Sequence, residues 1–383
     1  MMERAYFDWN ATAPLRKEAR DAMSAALAVT GNASSVHAEG RAARRLIEQA
    51  REEVAGLVGA ESRNVTFTSC ATEANSLALT PAIEIGGQRE ARDRLFISAI
   101  EHPSVLGGGR FSAGQVEQLP VTADGTLDVE ALRTALPRSE RPLVSVMLAN
   151  NETGVVQPIA EIAEIVHAAA GVLHVDAVQG VGRIECRIDT LGADLMSISS
   201  HKLGGPQGVG ALIRRGNIHI ADPVIKGGGQ ERGLRAGTEN VAAIAGFGAA
   251  ASAVKEPDLQ GLAALRDRFE IGLKSSTPQV IIFGEKATRL PNTSLFTVPG
   301  LKAETAVIAF DLNGVAVSSG AACSSGKVQA SHVLGAMAVE PALARGAVRV
   351  SLGWSTTEAE IDALLTAWNK VVSSLLNKHA TAA

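Results

Sequence analysis

Cysteine is scarce in this sequence, with three residues, Cys70, Cys186 and Cys323, in 383. They stand apart from one another, with no CxxC pair and no His/Cys cluster at zinc spacing. That argues against a structural metal site and against a disulfide framework. Aromatic residues make up only 3% of the chain, whereas 38 glycines fit a compact α/β enzyme with many tight strand–helix turns. No stretch is long and apolar enough to span a membrane. The start, Met1-Met2-Glu3-Arg4-Ala5-Tyr6-Phe7-Asp8, lacks the apolar core of a signal peptide. A basic excess is missing too: the formal net charge is −4. No basic stripe stands out beyond the helix around Arg41 and Arg51, so nucleic acid is not an expected partner. There is no GKS or GKT of a Walker loop. No GxGxxG follows the first strand, which argues against a nicotinamide enzyme. A cytoplasmic chain without membrane contact is expected.

Within these bounds the pattern is α/β. Leu46, Ile47, Ala50, Val54, Leu57 and Val58 recur at the helical period between residues 39 and 58. Strands and helices then alternate. Strands are expected over 65–69, 94–100, 143–149, 172–178, 195–199 and 210–213, and helices over 72–85 and 159–170. This alternation predicts a mostly parallel central sheet with helices on both faces. After an alanine-rich helix over 240–254, Lys255-Glu256-Pro257-Asp258 has the character of a hinge. The remainder has the texture of a smaller α+β domain, with strands near 280–283 and 293–298. The expected division is 1–14, 15–257 and 258–383.

Chemistry-bearing residues gather where these strands end. Ser199-Ser200-His201-Lys202 sets a lysine beside small hydroxyls and an imidazole, downstream of the apolar run His174-Val175-Asp176-Ala177-Val178-Gln179. A lysine that holds an aldehyde cofactor as a Schiff base needs such company. The hydroxyls and imidazole suit a phosphate, and a fixed carboxylate keeps a pyridine nitrogen protonated. A surface lysine after a buried strand is the alternative. Thr68-Ser69-Cys70-Ala71-Thr72-Glu73-Ala74-Asn75 follows a strand and opens a helix. Its hydroxyls and free main-chain N–H groups suit a phosphate, or Thr72 is simply the N-cap.

His102, in Glu101-His102-Pro103-Ser104, falls at the carboxyl end of a parallel strand, where ligands bind. It is placed to stack on a flat cofactor or shuttle a proton, or else to start a turn. Asn150-Asn151-Glu152-Thr153-Gly154 offers amides to a phenolate oxygen, or makes a turn. The glycine-rich segment 227–240, which holds Thr238, approaches a phosphate or crosses at a subunit contact. Cys323 lies in Ser318-Ser319-Gly320-Ala321-Ala322-Cys323-Ser324-Ser325-Gly326. Its small neighbours predict an exposed, mobile nucleophile rather than a core cysteine. Arg349, in Val348-Arg349-Val350-Ser351, presents a fork suited to a substrate carboxylate, with a structural ion pair as the alternative.

In this order the motifs resemble the NifS/IscS-like cysteine desulfurases of the class V pyridoxal-phosphate-dependent aminotransferase family. The likeness runs over essentially the whole chain, from Tyr6-Phe7-Asp8-Trp9-Asn10-Ala11-Thr12 and Gly31-Asn32-Ala33-Ser34-Ser35-Val36-His37 to the Arg349 strand. SSHK after a DAVQ strand, a GGGQERG–RAGT loop and a late SSGAAC carry its specificity. The resemblance implies a type I pyridoxal-phosphate transferase fold. Segment 1–14 would pack with the small domain, 15–257 would bind the cofactor and 258–383 would carry the Cys323 loop.

By that resemblance Lys202 would hold pyridoxal 5′-phosphate and later move the Cα proton of L-cysteine. Asp176 would pair with the pyridine nitrogen, Gln179 and Asn151 would bind the phenolic oxygen, and His102 would stack over the ring. Thr72 with the Ala71 backbone, Ser199, Ser200 and His201 would hold the phosphate. Thr238 would reach the partner's phosphate in an obligate homodimer, and Arg349 would grip the substrate carboxylate. Cys323 would take the sulfur as a persulfide, leaving L-alanine, and pass it to an iron–sulfur scaffold or other acceptor protein. Its thiol needs a depressed pKa or a proton acceptor such as His102. No standing metal site is implied beyond transient iron–sulfur contact through Cys323.

Three positions depart from the family pattern. Cys70 stands where glycine is usual, Trp354 where arginine is common, and Ala13-Pro14 where paired threonines are frequent. The rival readings are a selenocysteine lyase or another class V aminotransferase-fold enzyme, and an idle scaffold for iron–sulfur assembly. A mobile cysteine argues against an aminotransferase. Keeping Lys202, Asp176, His102 and Cys323 together argues against the scaffold.

Overall fold

The computed structural model describes residues 4–254, 259–320 and 331–375. The expected hinge at 255–258 and the Cys323 segment lie outside the described residues. Among these, seven strands form the central sheet, in the spatial order Val65–Thr68, Gly210–Arg214, Leu195–Ser199, Val172–Asp176, Pro142–Met147, Arg94–Ser98 and Val116–Leu119. Gly210–Arg214 runs antiparallel to both neighbours, and the remaining pairs are parallel. This is the mostly parallel α/β sheet expected.

Its central strands are buried along their whole length, because helices close both faces and leave no polar side. The two-residue period sorts the strand side chains between those faces. Phe96, Val144, Val146, Leu173, Val175, Met196 and Ile198 meet Ile47, Ala50 and Val54 of helix Ala38–Leu57 and Phe247 of helix Val241–Ala253. Leu95, Ile97, Leu143, Val172 and Leu195 meet Ala74, Leu77 and Ala78 of helix Ala71–Ala78 on the opposite face.

A second, antiparallel sheet follows in the order Ile281–Ile282, Thr293–Thr297, Val348–Ser351 and Ser318–Ser319. Its core gathers Phe269, Phe296, Phe310 and Trp368, with Phe296 edge-on to Trp368 at 5.3 Å. The start of the chain belongs to this body. Ala5–Tyr6 pairs in parallel with Val315–Ala316, and the Ser351 main-chain N–H donates to the Phe7 carbonyl at 2.9 Å. Gly353 permits that closure, since a Cβ there would stand 2.0 Å from the Trp9 ring.

The helix expected over 72–85 ends at Ala78. Pro81 cannot continue it, and Ala82–Ile85 is instead a strand paired with Gln88–Ala91 and Ile218–Ile220. Gly86 and Gly87, at φ +57° and +80°, make the two-residue turn that such a hairpin requires.

One buried ion pair ties the glycine-rich segment to the sheet edge. Arg51 grips Glu231 with both Nη atoms, at 2.6 and 2.7 Å, and Glu231 also accepts the Phe67 main-chain N–H at 2.9 Å. Both side chains are almost fully shielded. Arg51→Met strands a buried carboxylate and should cost about 3–5 kcal/mol in urea denaturation. Adding Glu231→Gln to that variant should recover part of the loss.

Candidate active site

The carboxyl ends of the parallel strands open into a cavity of about 300 Å³. Ala71, Thr72, His102, Asn151, Asp176, Gln179, Ser199, His201, Lys202 and Arg349 all line it. They come from several different strand ends and turns, which is how distant sequence positions meet at such an edge. Ser200 is not among the lining residues. It is fully buried, its Oγ lies under Gly205, and that oxygen has no hydrogen-bond partner among the described residues. Thr238 is exposed and does not line this cavity of its own chain. Cys323 lies outside the described residues.

Lys202 stands in the short turn Ser200–Lys202 that leaves the Leu195–Ser199 strand. Its ammonium donates to the main-chain carbonyls of Asn10, at 2.5 Å, and Ala11, at 2.8 Å. Asp176 ends its own strand. Its carboxylate accepts from Asn75 Nδ2 at 2.8 Å and from the Val178 main-chain N–H at 3.1 Å. Gln179 donates to the Asn10 carbonyl at 3.0 Å, and its side-chain oxygen accepts from Arg183. Burial, aided by the Arg349 charge, lowers the Arg183 guanidinium to about 9.

One part of the cavity wall suits an anion. Helix Ala71–Ala78 begins there, with Cys70 rather than Thr72 at the N-cap, and the Cys70 side chain makes no capping bond. Its first-turn N–H groups therefore keep their donor capacity toward the cavity. Burial, reinforced by Lys202 and Arg183, lowers His201 to about 4, so at neutral pH it is an uncharged ring. Gly210 lets the turn sit close: a Cβ there would lie 2.7 Å from the Cys70 carbonyl carbon. The glycine-rich segment is fastened to this part, with Arg235 donating to Glu73 at 3.1 Å and Glu73 accepting the Ser69 main-chain N–H at 2.8 Å.

Arg349 is 1% exposed and reaches the cavity from the second sheet. It donates to Asp8 at 2.7 Å and to the Asn151 carbonyl at 2.9 Å. Its Nε–H has no partner among the described residues, which leaves a donor for a carboxylate. The residue makes the ion pair of one sequence alternative and also lines the site.

A model of the family described as "Aminotransferase class-V" matches residues 5–364. The chain belongs to this family. It is 43% identical, over 98% of its length and 97% of the relative's, to a cysteine desulfurase of Cereibacter sphaeroides. It is 41% identical, over 98% of its length and 96% of the relative's, to the cysteine desulfurase IscS of Dictyoglomus turgidum. In structure it is similar to a NifS-like protein of Rickettsia africae. That match has a TM-score of 0.87 and 37% identity, and covers 97% of this chain and 100% of that one.

Two departures from the family pattern now have a local account. Cys70 has φ −172°, an extended backbone open to any residue, so glycine is not required there. Trp354 takes the Arg16 guanidinium over its face at 3.6 Å and meets Trp9 edge-on at 4.6 Å. Sequence reasoning gave no role to three residues that matter here: Asn10, Asn75 and Ser104. All three lay inside quoted motifs, but nothing local marked their partners.

Two buried acids back the site. Burial raises Glu101 to about 8, against bonds from Ser98 Oγ at 2.5 Å and the Met147 main-chain N–H at 2.8 Å. Burial likewise raises Glu152 to about 7, where it accepts from Ser331 Oγ at 2.5 Å. Between the ordinary value of 4.5 and these raised values the folded state holds protons that the unfolded state has released. Stability is therefore complete below about pH 4.5 for these groups and falls as pH rises through 7 and 8. Glu101→Gln keeps an acceptor for Ser98 and Met147, and should flatten the fall between about pH 6 and 8 in paired urea denaturations.

Proposed function

We propose that this protein is a pyridoxal-phosphate-dependent cysteine desulfurase that supplies sulfur for iron–sulfur cluster assembly. The meeting of Lys202, Asp176, His102 and Arg349 on one cavity supports this most directly. The residues present fit the cofactor. A helix start and His201 would suit its phosphate, the doubly hydrogen-bonded Asp176 carboxylate would suit its pyridine nitrogen, and Lys202 lines the same cavity. Ala71, Thr72, Ser199 and His201 would hold the phosphate, Asn151 and Gln179 the phenolic oxygen, and Lys202 the aldehyde carbon. Bound there, the cofactor supplies an electron sink for the Cα carbanion.

The chain's own groups do the rest. Arg349 binds the carboxylate of L-cysteine and orients it, and Lys202 moves the Cα proton. The Cys323 thiolate attacks the substrate sulfur. A sulfur–sulfur bond forms, the Cβ–sulfur bond breaks, and the electron pair stays with carbon, which takes up a proton to give L-alanine. The persulfide on Cys323 then passes to an acceptor protein.

A homodimer accords with Thr238, which stands exposed and away from its own cavity on a segment tied to the phosphate end by Arg235 and Glu73. In a dimer Thr238 would complete the partner's phosphate site. The division at 1–14, 15–257 and 258–383 is supported by the separate apolar cores and by the pairing of Ala5–Tyr6 with Val315–Ala316. No helix among the described residues is long and apolar enough to cross a membrane, and a cytoplasmic setting is proposed.

The deciding assay measures alanine and sulfide from L-cysteine with a reductant, with L-selenocysteine run beside it to separate the lyase alternative. Wild type should give equal amounts of both products. Lys202→Ala and Cys323→Ala should each lose about 100-fold or more. Sulfur transfer that survives Cys323→Ala sinks the thiol route, and alanine formation that survives Lys202→Ala sinks the cofactor lysine.

A further inference from the structure

A line of hydrogen bonds joins His102 to Asp176 through two residues with no role so far, Ser104 and Asn75. The Ser104 main-chain N–H donates to His102 Nδ1 at 3.2 Å, and Ser104 Oγ lies 2.8 Å from the same nitrogen. Asn75 Nδ2 donates to Ser104 Oγ at 2.9 Å and to Asp176 Oδ2 at 2.8 Å. All four side chains line the cavity.

The direction of each bond follows from what each group can do. A main-chain N–H only donates, so His102 Nδ1 must accept. The Asp176 carboxylate only accepts, so Asn75 must turn its amide nitrogen, not its oxygen, toward it. The second amide hydrogen then falls to Ser104 Oγ, and the serine hydrogen is left for His102 Nδ1. Asn75 is the source from which every bond in the line points outward.

We infer that Ser104 and Asn75 are positioning residues that hold neutral His102 with its proton on Nε2, so that His102 serves the reaction as a hydrogen-bond donor and not as its base. A second proton would have to enter at Nδ1, opposite two donors. Burial also lowers the His102 pKa; Asp176 opposes that, while Lys202 and His332 add to it. Of the two sequence-based options for the attacking thiol, a depressed pKa or a proton acceptor such as His102, this inference favours the first. The tautomer stands on geometry alone, whereas what lies opposite Nε2 rests on the proposed function.

The test is long-range proton–nitrogen NMR of protein labelled with ¹⁵N-histidine, with and without pyridoxal phosphate, using His102→Gln to assign the signals. Wild type should show an unprotonated Nδ1 and a protonated Nε2 across about pH 6 to 8. Ser104→Ala should give a mixture of tautomers, with kcat for L-cysteine lower by about tenfold and KM nearly unchanged. Ser104→Thr should restore both. A proton on Nδ1 in wild type, or a tautomer and kcat unmoved in Ser104→Ala, overturns the inference. An inactive wild type with the expected tautomer would refute the proposed function alone, and an active one with the other tautomer the inference alone.

Discussion

Asn10 is 1% exposed and uses each of its polar atoms. Its carbonyl takes Lys202 Nζ and Gln179 Nε2, and its main-chain N–H donates to Ser351 Oγ. Its amide nitrogen reaches the Asn151 carbonyl and Thr293 Oγ1, while its amide oxygen accepts from Asn292. A buried amide left unmet costs about 1–3 kcal/mol, so these bonds form together or not at all. Through the main chain and side chain of this one residue, the start of the chain, the edge of the parallel sheet and the second sheet share a register. The position of Lys202 depends on it.

Around that hub, burial sets the charges. His201 is driven down to about 4 and Arg183 to about 9, so the imidazole meets an anion as a neutral group. Arg183 keeps its charge at neutral pH but does not line the cavity, whose basic side chains other than histidine are Lys202 and Arg349. Each is restrained by acceptors: two carbonyls for the lysine, Asp8 and a carbonyl for the arginine. A site built this way holds its charged groups on fixed dipoles, the arrangement that stabilises developing charge without reorganisation.

Much of this was legible in the sequence. The alternation of strands and helices gave the parallel sheet, and the SSHK, DAVQ and EHPS motifs marked strand ends that do converge. The misses have physical causes. The apolar residues at 82–85 extend a helical pattern, but Pro81 and the Gly86-Gly87 turn decide for a hairpin. Ser200 shares a motif with its neighbours, yet successive residues in a tight turn face different ways: Ser199, His201 and Lys202 reach the cavity and Ser200 does not. Glu73 with Arg235, Glu231 with Arg51, and Asn75 with Ser104 join positions that no local period connects.

The stitching of the first residues to the last sheet has a consequence in time. Ala5 and Tyr6 pair with Val315 and Ala316, Phe7 bonds Ser351, and Asn10 bonds residues at 292 and 293 as well. A chain emerging from the ribosome can lay down the parallel sheet early, but its opening segment must wait for strands synthesised near the end. Contacts so distant in sequence are the slow ones to form. The nascent protein thus has no finished Lys202 pocket until the strands of the second sheet have been made.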